Sequence, residues 1–277
     1  MATWPSAFVM CGRCVLSTPP DELAELFGLS DPPPYEARFN IAPSQPLLAL
    51  REATEATEAT ERDAARDRAR AGHAVEWALL RWGLVPRWAP DPTLGQRLVN
   101  ARVETIASRS AFRDSLRERR AVVLVDGFYE WSRRRDDGAD ASRATRGRRA
   151  VPHFVHAEDE KPLALAALWD RWEPRGEPPS PALETVCIIT RPSLPPVAAL
   201  HDRMPLIVPR ALLDAWLSGE LDVDALVARS SGERLRLHPV GKRVNDARFD
   251  DPSCVAPEPT SAEEAPVRSQ LSLFSRE

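Results

Sequence analysis

The sequence predicts an α+β domain with a mixed, mainly antiparallel β core and short helices at its periphery. Three observations carry this reading. Apolar or alternating runs of strand length recur along the chain, among them Ala121–Val125, Leu163–Trp169 and Thr185–Thr190. Helical patterns are few and short, and they do not alternate with strands as βαβ units would. The 27 prolines in 277 residues, about twice the usual share of roughly 5%, imply long connections. With 43% hydrophobic residues the chain can fill a sizeable core, assigned here to one domain over about residues 10–250.

Taken in order, residues 1–9 read as an extension absent from the mature protein, and a strand follows near Cys14-Val15-Leu16. Residues 18–28 predict a short helix, with proline and acids in its first turn and Gly28 to end it. Arg38–Pro43 and Leu47–Arg51 are extended. Residues 52–74, which repeat Glu-Ala-Thr and then turn Arg/Asp/Ala-rich, have no apolar face and read as an exposed insertion. Val75–Val85 is β-like, 87–99 a loop, and Ser110–Arg120 a helix whose Phe112 and Leu116 share one face. Ala121–Asp126 is a buried strand broken by Gly127, and Phe128–Trp131 continues extended. A second polar insertion covers 132–150. Strands are expected at 152–156, 163–169, 185–190 and 235–240, and helices at 209–217 and 223–228. From about Pro252 the composition predicts a disordered tail, residues 251–277.

Formal net charge is −4, and the acidic tail accounts for −3 of it, leaving −1 for residues 1–250. A globally basic nucleic-acid coat is excluded, so any contact with nucleic acid must be local. No stretch reaches a membrane-spanning length, and residues 1–9 make a poor signal peptide. A cytoplasmic, nucleoid-associated monomer is expected. Cysteines 11, 14, 187 and 254 are spaced too irregularly for a disulfide framework. Cys11 and Cys14 form a C-x-x-C pair, but no βαβ context supports a redox role. No second pair supports a metal site either, since His153 and His156 would face opposite sides of a strand. Neither metal nor cofactor is expected, and Cys14 reads as a small buried residue.

Chemistry concentrates at a few places. If Met10 is the initiator and is removed, Cys11 becomes the first residue and carries two nucleophiles, an α-amine and a thiol. Both are partly deprotonated near neutrality. An aldehyde can form an imine with the amine, and the thiol can then close a five-membered thiazolidine. Glu130 sits among aromatics in Asp126-Gly-Phe-Tyr-Glu-Trp131, where burial would suit it to acid–base work; a solvent-facing Glu on an alternating strand is the bland alternative. His201-Asp-Arg-Met-Pro205 joins an imidazole, a carboxylate and a guanidinium on one loop. Asn100, in Asn100-Ala-Arg-Val-Glu-Thr105, can hold an amine or a sugar without titrating. Trp82, Trp88, Phe128, Tyr129 and Trp131, with Arg13, Arg38, Arg87 and Arg102, could line a groove for single-stranded DNA, whereas Trp77 reads as core.

Together these stretches resemble the SOS response-associated peptidase (SRAP) family, which includes the abasic-site processing proteins. The matching pieces are Met10-Cys-Gly-Arg13, Asn40-Ile-Ala-Pro43, Trp82-Gly83, Asn100–Thr105, Gly127–Trp131, Thr190, His201–Pro205 and Val244-Asn245, spanning residues 10–245. The resemblance implies an SRAP-type domain in the DNA-damage and SOS responses. In it, Cys11 would crosslink to the ring-opened aldehyde of an abasic site in single-stranded DNA and so protect that site during replication. Asn100 would orient the cysteine or sugar, Glu130 would handle protons in ring opening, and His201 would assist imine formation and thiazolidine closure or reversal. Arg13, Asn40, Trp82, Trp88, Arg102, Thr190 and Arg203 are the DNA-binding residues it implies. Hydrolase, protease and lyase activities belong to the same expectation, including autoproteolysis that would release residues 1–10. The chain departs from the family in its nine residues before Met10, in Cys14 and in the two insertions. A cysteine peptidase using Cys11 and His201, and a non-covalent single-stranded DNA adaptor, are the alternatives. In the tail, Gln270-Leu-Ser-Leu-Phe274 resembles the short motif that docks bacterial polymerases and repair proteins on the sliding clamp, with Gln270 polar and Leu271, Leu273 and Phe274 filling apolar pockets.

Overall fold

The computed structural model describes residues 12–53, 74–132, 150–175, 181–230 and 234–258. Among these residues twelve strands form two sheets. Five of them, β3 (Pro46–Glu52), β4 (Val75–Trp82), β6 (Arg120–Val125), β9 (Leu163–Trp172) and β10 (Leu183–Pro192), run in the order β10-β4-β3-β6-β9. Pairing of β9 with β10 closes the ring into a barrel. Every pairing in that ring is antiparallel except β4 with β10. The apolar run 121–125 is fully buried because both of its faces are covered. One face fills the barrel. The other lies under α2 (Ser110–Glu118) and α3 (Leu213–Leu217), which contribute the fully buried Phe112 and Trp216. The Trp216 indole donates to the Ala121 carbonyl at 2.9 Å, which gives its one polar atom a partner.

A second sheet, in the order β12-β8-β7-β1-β2, packs against the barrel. It consists of β1 (Cys14–Leu16), β2 (Arg38–Ile41), β7 (Gly127–Ser132), β8 (Val151–Ala157) and β12 (Leu235–Pro239). The link from β6 into β7 is one of the places where the chain passes between barrel and sheet. Its Asp126 carboxylate accepts from both the backbone N–H and the hydroxyl of Ser17 (2.6 and 2.7 Å) and of Thr18 (3.0 and 2.6 Å). The next residue must be glycine: a Cβ on Gly127 would stand 2.4 Å from the Val155 carbonyl oxygen and 2.6 Å from the Phe154 ring. Gly83 is required for a different reason, with φ +121° and the Gly95 carbonyl 2.6 Å from where its Cβ would be.

The expected short helices are present. α1 (Pro20–Phe27) ends on Gly28 in the left-handed conformation, and α4 (Val223–Arg229) is capped by Asp222. The 209–217 pattern divides into a 3₁₀ turn, Arg210–Leu212, followed by α3. The loop expected over 87–99 contains a 3₁₀ turn, Pro92–Arg97, begun by Asp91 accepting from Thr93 N–H. The composition predicts a tail without structure from about Pro252, yet the chain stays folded to Glu258. Cys254 is buried, Val240 bridges to Pro257, and Glu258 N–H donates to Pro239. Both polar insertions begin and end on strand residues that pair directly, Glu52 with Val75 and Ser132 with Val151, so each is borne on a hairpin. Residues 54–73 and 133–149 themselves lie outside the described residues. No described helix is long and apolar enough to cross a membrane.

Candidate active site

Cys11 lies outside the described residues, but the register fixes the position of its neighbour. β1 pairs antiparallel with β7, Cys14 facing Phe128 and Val15 facing Gly127, and Tyr129 N–H donates to the Arg13 carbonyl. Continuing that register by one step brings Gly12 level with Glu130. Alternation along β7 then separates the two sheet faces. Phe128 joins the barrel-side core, whereas Tyr129 joins the outer cluster of Val15, Phe154, Val240, Val244 and Cys254. Glu130 shares the barrel-facing side with Phe128 and is buried, at 2% exposure. Its charge adds to the burial that pushes the Cys14 thiol well above the usual thiol range, so Cys14 is an inert core residue as the sequence suggests.

The barrel supplies the other candidates along the second half of β10. There β5 (Asn100–Arg102) runs parallel on one edge, Asn100 beside Ile188 and Arg102 beside Thr190. On the other edge β11 (Arg203–Pro205) runs antiparallel, Arg203 beside Pro192. Asn100 opens β5, and His201 lies two residues ahead of β11. The His201 side chain is almost fully buried, and its Nδ1 stands 2.9 Å from an Asp202 carboxylate oxygen and 3.1 Å from Arg203 N–H. These contacts need opposite states of one nitrogen. Nδ1–H would donate to Asp202, whereas a bare Nδ1 would accept from Arg203 N–H. The ring's tautomer therefore decides which of the two Nδ1 bonds. Arg203 fastens β11 to the segment after β5, donating to both Glu104 oxygens and, at 2.7 Å, to the Thr190 carbonyl.

Several residues expected at a DNA surface are tied into the interior of the fold. Trp82 is 1% exposed and donates to the Val99 carbonyl at 3.0 Å, so it offers no face on which a base could stack. Thr190 is fully buried and bonds the Ala101 carbonyl. Asn40 is also fully buried, its amide donating to the carbonyls of Val244, Asp246 and Phe249. Arg203 is buried in its pair with Glu104. Arg13 is half-buried; it donates to Asn40 Oδ1 and to the Val244 and Asn245 carbonyls, and desolvation lowers its pKa. Arg38 pairs with Asp250. Trp88, 45% exposed, and the exposed Arg102 do present themselves to solvent. Trp131 donates to Asn245 Oδ1 at 2.8 Å, and Trp77, half-buried, packs on the core. The clamp-like residues Gln270, Leu271, Leu273 and Phe274 lie outside the described residues.

Sequence reasoning missed Asp126 and Asp250, whose roles depend on partners more than 100 residues away. It also set His153 aside after testing it only as a metal ligand. His153 and His156 do face opposite sides: His156 stacks on Phe154 on the outer face, while His153 stands directly opposite Glu130 on the neighbouring strand.

A family model described as SOS response associated peptidase (SRAP) matches residues 10–247. Among characterised proteins, the chain is 28% identical over 254 residues to the abasic site processing protein YoqW of Bacillus subtilis, covering 89% of this chain and 99% of that one. It is 30% identical over 212 residues to YoaM of the same organism, covering 76% and 79%. With the abasic site processing protein HMCES of Gallus gallus it shares 33% identity over 205 residues, 64% of this chain and 56% of that one. A crystal structure of a Bacteroides thetaiotaomicron protein matches with TM-score 0.66 at 19% identity, covering 90% of this chain and all of that one, which shows the shared fold.

Proposed function

The chain belongs to the SRAP family, and from that premise we propose that it processes abasic sites in single-stranded DNA by forming a thiazolidine through Cys11. The observation that carries the reading is the β1–β7 register, which levels Gly12, the residue bonded to Cys11, with the buried Glu130.

The abasic sugar is largely a closed hemiacetal. Ring opening moves a proton to the ring oxygen and removes one from the anomeric hydroxyl, leaving an aldehyde at C1′; Glu130 handles these protons. The Cys11 α-amine adds to C1′, and loss of water gives an imine. The thiol then adds to the same carbon while its proton passes to nitrogen, closing the ring. The net reaction joins aldehyde and cysteine with release of one water. His201, with its two alternative Nδ1 partners, shuttles protons in the dehydration and closure steps. Asn100 orients the amine or the sugar, and Arg102 and Trp88 meet phosphate and base from the exposed side. The amine must be free, so the Met10–Cys11 bond has to be absent, through initiation at Met10 or by proteolysis.

The test is the intact mass of the natively expressed protein, followed by incubation with a single-stranded oligonucleotide carrying one abasic site. A mass beginning at Cys11 and a heat-stable covalent adduct, lost in Cys11→Ser, are expected. Protein that begins at Cys11 yet forms no adduct refutes the crosslinking. Retention of residues 1–10 with processing of peptide substrates would favour the cysteine peptidase. Adduct-free binding that survives Cys11→Ser would favour the adaptor. The tail is proposed to tether the protein to the sliding clamp; Leu273→Ala with Phe274→Ala should abolish clamp pull-down, and unchanged capture would refute the tether.

A further inference from the structure

We propose that Asp170 and Trp172 are positioning residues for Trp88: they pin the backbone on both sides of it, so that its exposed indole stands as a preformed platform for a base of single-stranded DNA. The purpose of the platform rests on the reading in which Trp88 meets DNA, but its geometry does not.

Trp88 is one of three large apolar side chains exposed among the described residues, yet the backbone that carries it is tied down step by step. Beyond β4 the chain runs along the start of β10 and the end of β9. Gly83 N–H donates to the Val186 carbonyl at 2.8 Å, and Val85 N–H to the buried Thr185 hydroxyl at 2.8 Å. Arg87 N–H then donates to an Asp170 carboxylate oxygen at 3.0 Å. Ala89 N–H closes a turn onto the Pro86 carbonyl at 2.8 Å, and the Trp172 indole donates to the Ala89 carbonyl at 2.9 Å. Asp170 and Trp172 are two apart on β9, so their side chains leave the same face of the strand. They meet residues that are also two apart, 87 and 89, with Trp88 between them. Ala89 is fully buried in a cluster with Val85 and Trp172, which gives the turn an apolar foot.

Asp170 is itself held in place. Its carboxylate is buried, accepts from Arg171 N–H at 2.9 Å and stands 3.1 Å from Nε of the buried Arg119. Moving it would strand a buried guanidinium. The exposed Arg87 guanidinium lies 3.6 Å from the same oxygen, so a cation is kept beside the indole. A stacking face and a phosphate partner are thereby offered together. Fixing a backbone has a large entropic cost, and here that cost falls on folding and not on binding.

Two measurements test this separately. Without DNA, amide exchange at Arg87 and Ala89 is followed by NMR. Both should exchange slowly in the wild type and about fivefold or more faster in Trp172→Phe, which removes the indole N–H and keeps an apolar ring. Rapid exchange in the wild type, or no change in the variant, overturns the pinned turn whether or not the protein binds DNA. Affinity for an undamaged oligothymidylate is then read by fluorescence anisotropy in a double-mutant cycle of Trp172→Phe with Trp88→Ala. Trp172→Phe should weaken binding about three- to tenfold while Trp88 is present, and less than about twofold once Trp88 is alanine. Asp170→Asn should couple to Trp88 in the same way; the milder Trp172→Phe decides the matter if Asp170→Asn does not fold. Equal losses with and without Trp88 would mean a packing role and overturn the inference. A Trp88→Ala chain that binds as tightly as wild type would overturn the DNA reading of Trp88, and the platform with it.

Discussion

Asn40 tests the boundary between DNA contact and structure most directly. Its amide is fully buried and supplies two N–H groups to three carbonyl oxygens, at 3.2 Å from Val244, 3.1 Å from Asp246 and 2.7 Å from Phe249. That cluster ties β2 to the segment that covers the outer face of the second sheet. Asn40→Ala removes both donors; the Val244 carbonyl keeps its bond from Arg13 and the Phe249 carbonyl a weak one from the Cys254 thiol, while the Asp246 carbonyl loses its bond from the amide. Each buried hydrogen bond is worth about 1 kcal/mol net, and each acceptor left unpartnered costs about 1–3 kcal/mol. Because the Asp246 and Phe249 carbonyls are only partly buried, the loss should be about 3 kcal/mol. For a domain of this size that is a fall in Tm of about 6–12 °C. Asn40→Asp keeps the shape but turns the donors into acceptors, and should cost at least as much at pH 7. The assay is reversible thermal or urea unfolding of the full chain. A change in Tm under about 2 °C for Asn40→Ala, together with a large loss of affinity for undamaged single-stranded DNA, would refute the reasoning and return Asn40 to the DNA surface.

Two further outcomes follow from the same geometry. Trp82→Ala should destabilise the fold by about 3–5 kcal/mol. By contrast, Trp88→Ala should leave unfolding nearly unchanged yet weaken single-stranded DNA binding by about 1–3 kcal/mol, read by fluorescence anisotropy; equal effects on stability would contradict their different burial. The Arg203 guanidinium, bonded to the Glu104 side chain, holds that carboxyl below the usual carboxylate range. Such a pair adds stability above the unfolded carboxyl pKa of about 4.3 and loses it as pH falls through the lower folded value. Glu104→Gln should therefore be destabilising at pH 7 and converge on wild type in acid; a difference that persists or grows in acid would sink the assignment.

What was legible in the sequence was local. The Pro-Asp-Glu start and Gly28 end of α1, the paired Phe112 and Leu116 of α2, and the continuous apolar run of β6 each place their own element, because propensity and patterning act over a few residues. Strand ends were read less well: Leu163–Trp169 extends to Trp172, and 185–190 to 183–192, because ladder partners carry a strand past its apolar stretch. The fold to Glu258 was hidden for a similar reason. Pro252–Cys254 is polar in composition, and only the docking of Cys254 beneath the second sheet orders it.

The same division holds at the site. By itself the sequence determined the α+β class and the chemistry on offer: a cysteine able to bear two nucleophiles, a glutamate among aromatics, an amide and a histidine loop. Side-chain identity fixes what a group can donate, accept or attack. Only the tertiary structure decided which of these meet. Barrel closure through β9–β10 and the sheet register set Glu130 level with Gly12 and opposite His153, while they drew Trp82, Asn40 and Thr190 into the interior. Burial and cross-strand opposition depend on contacts between residues far apart in the chain, and no local pattern encodes them.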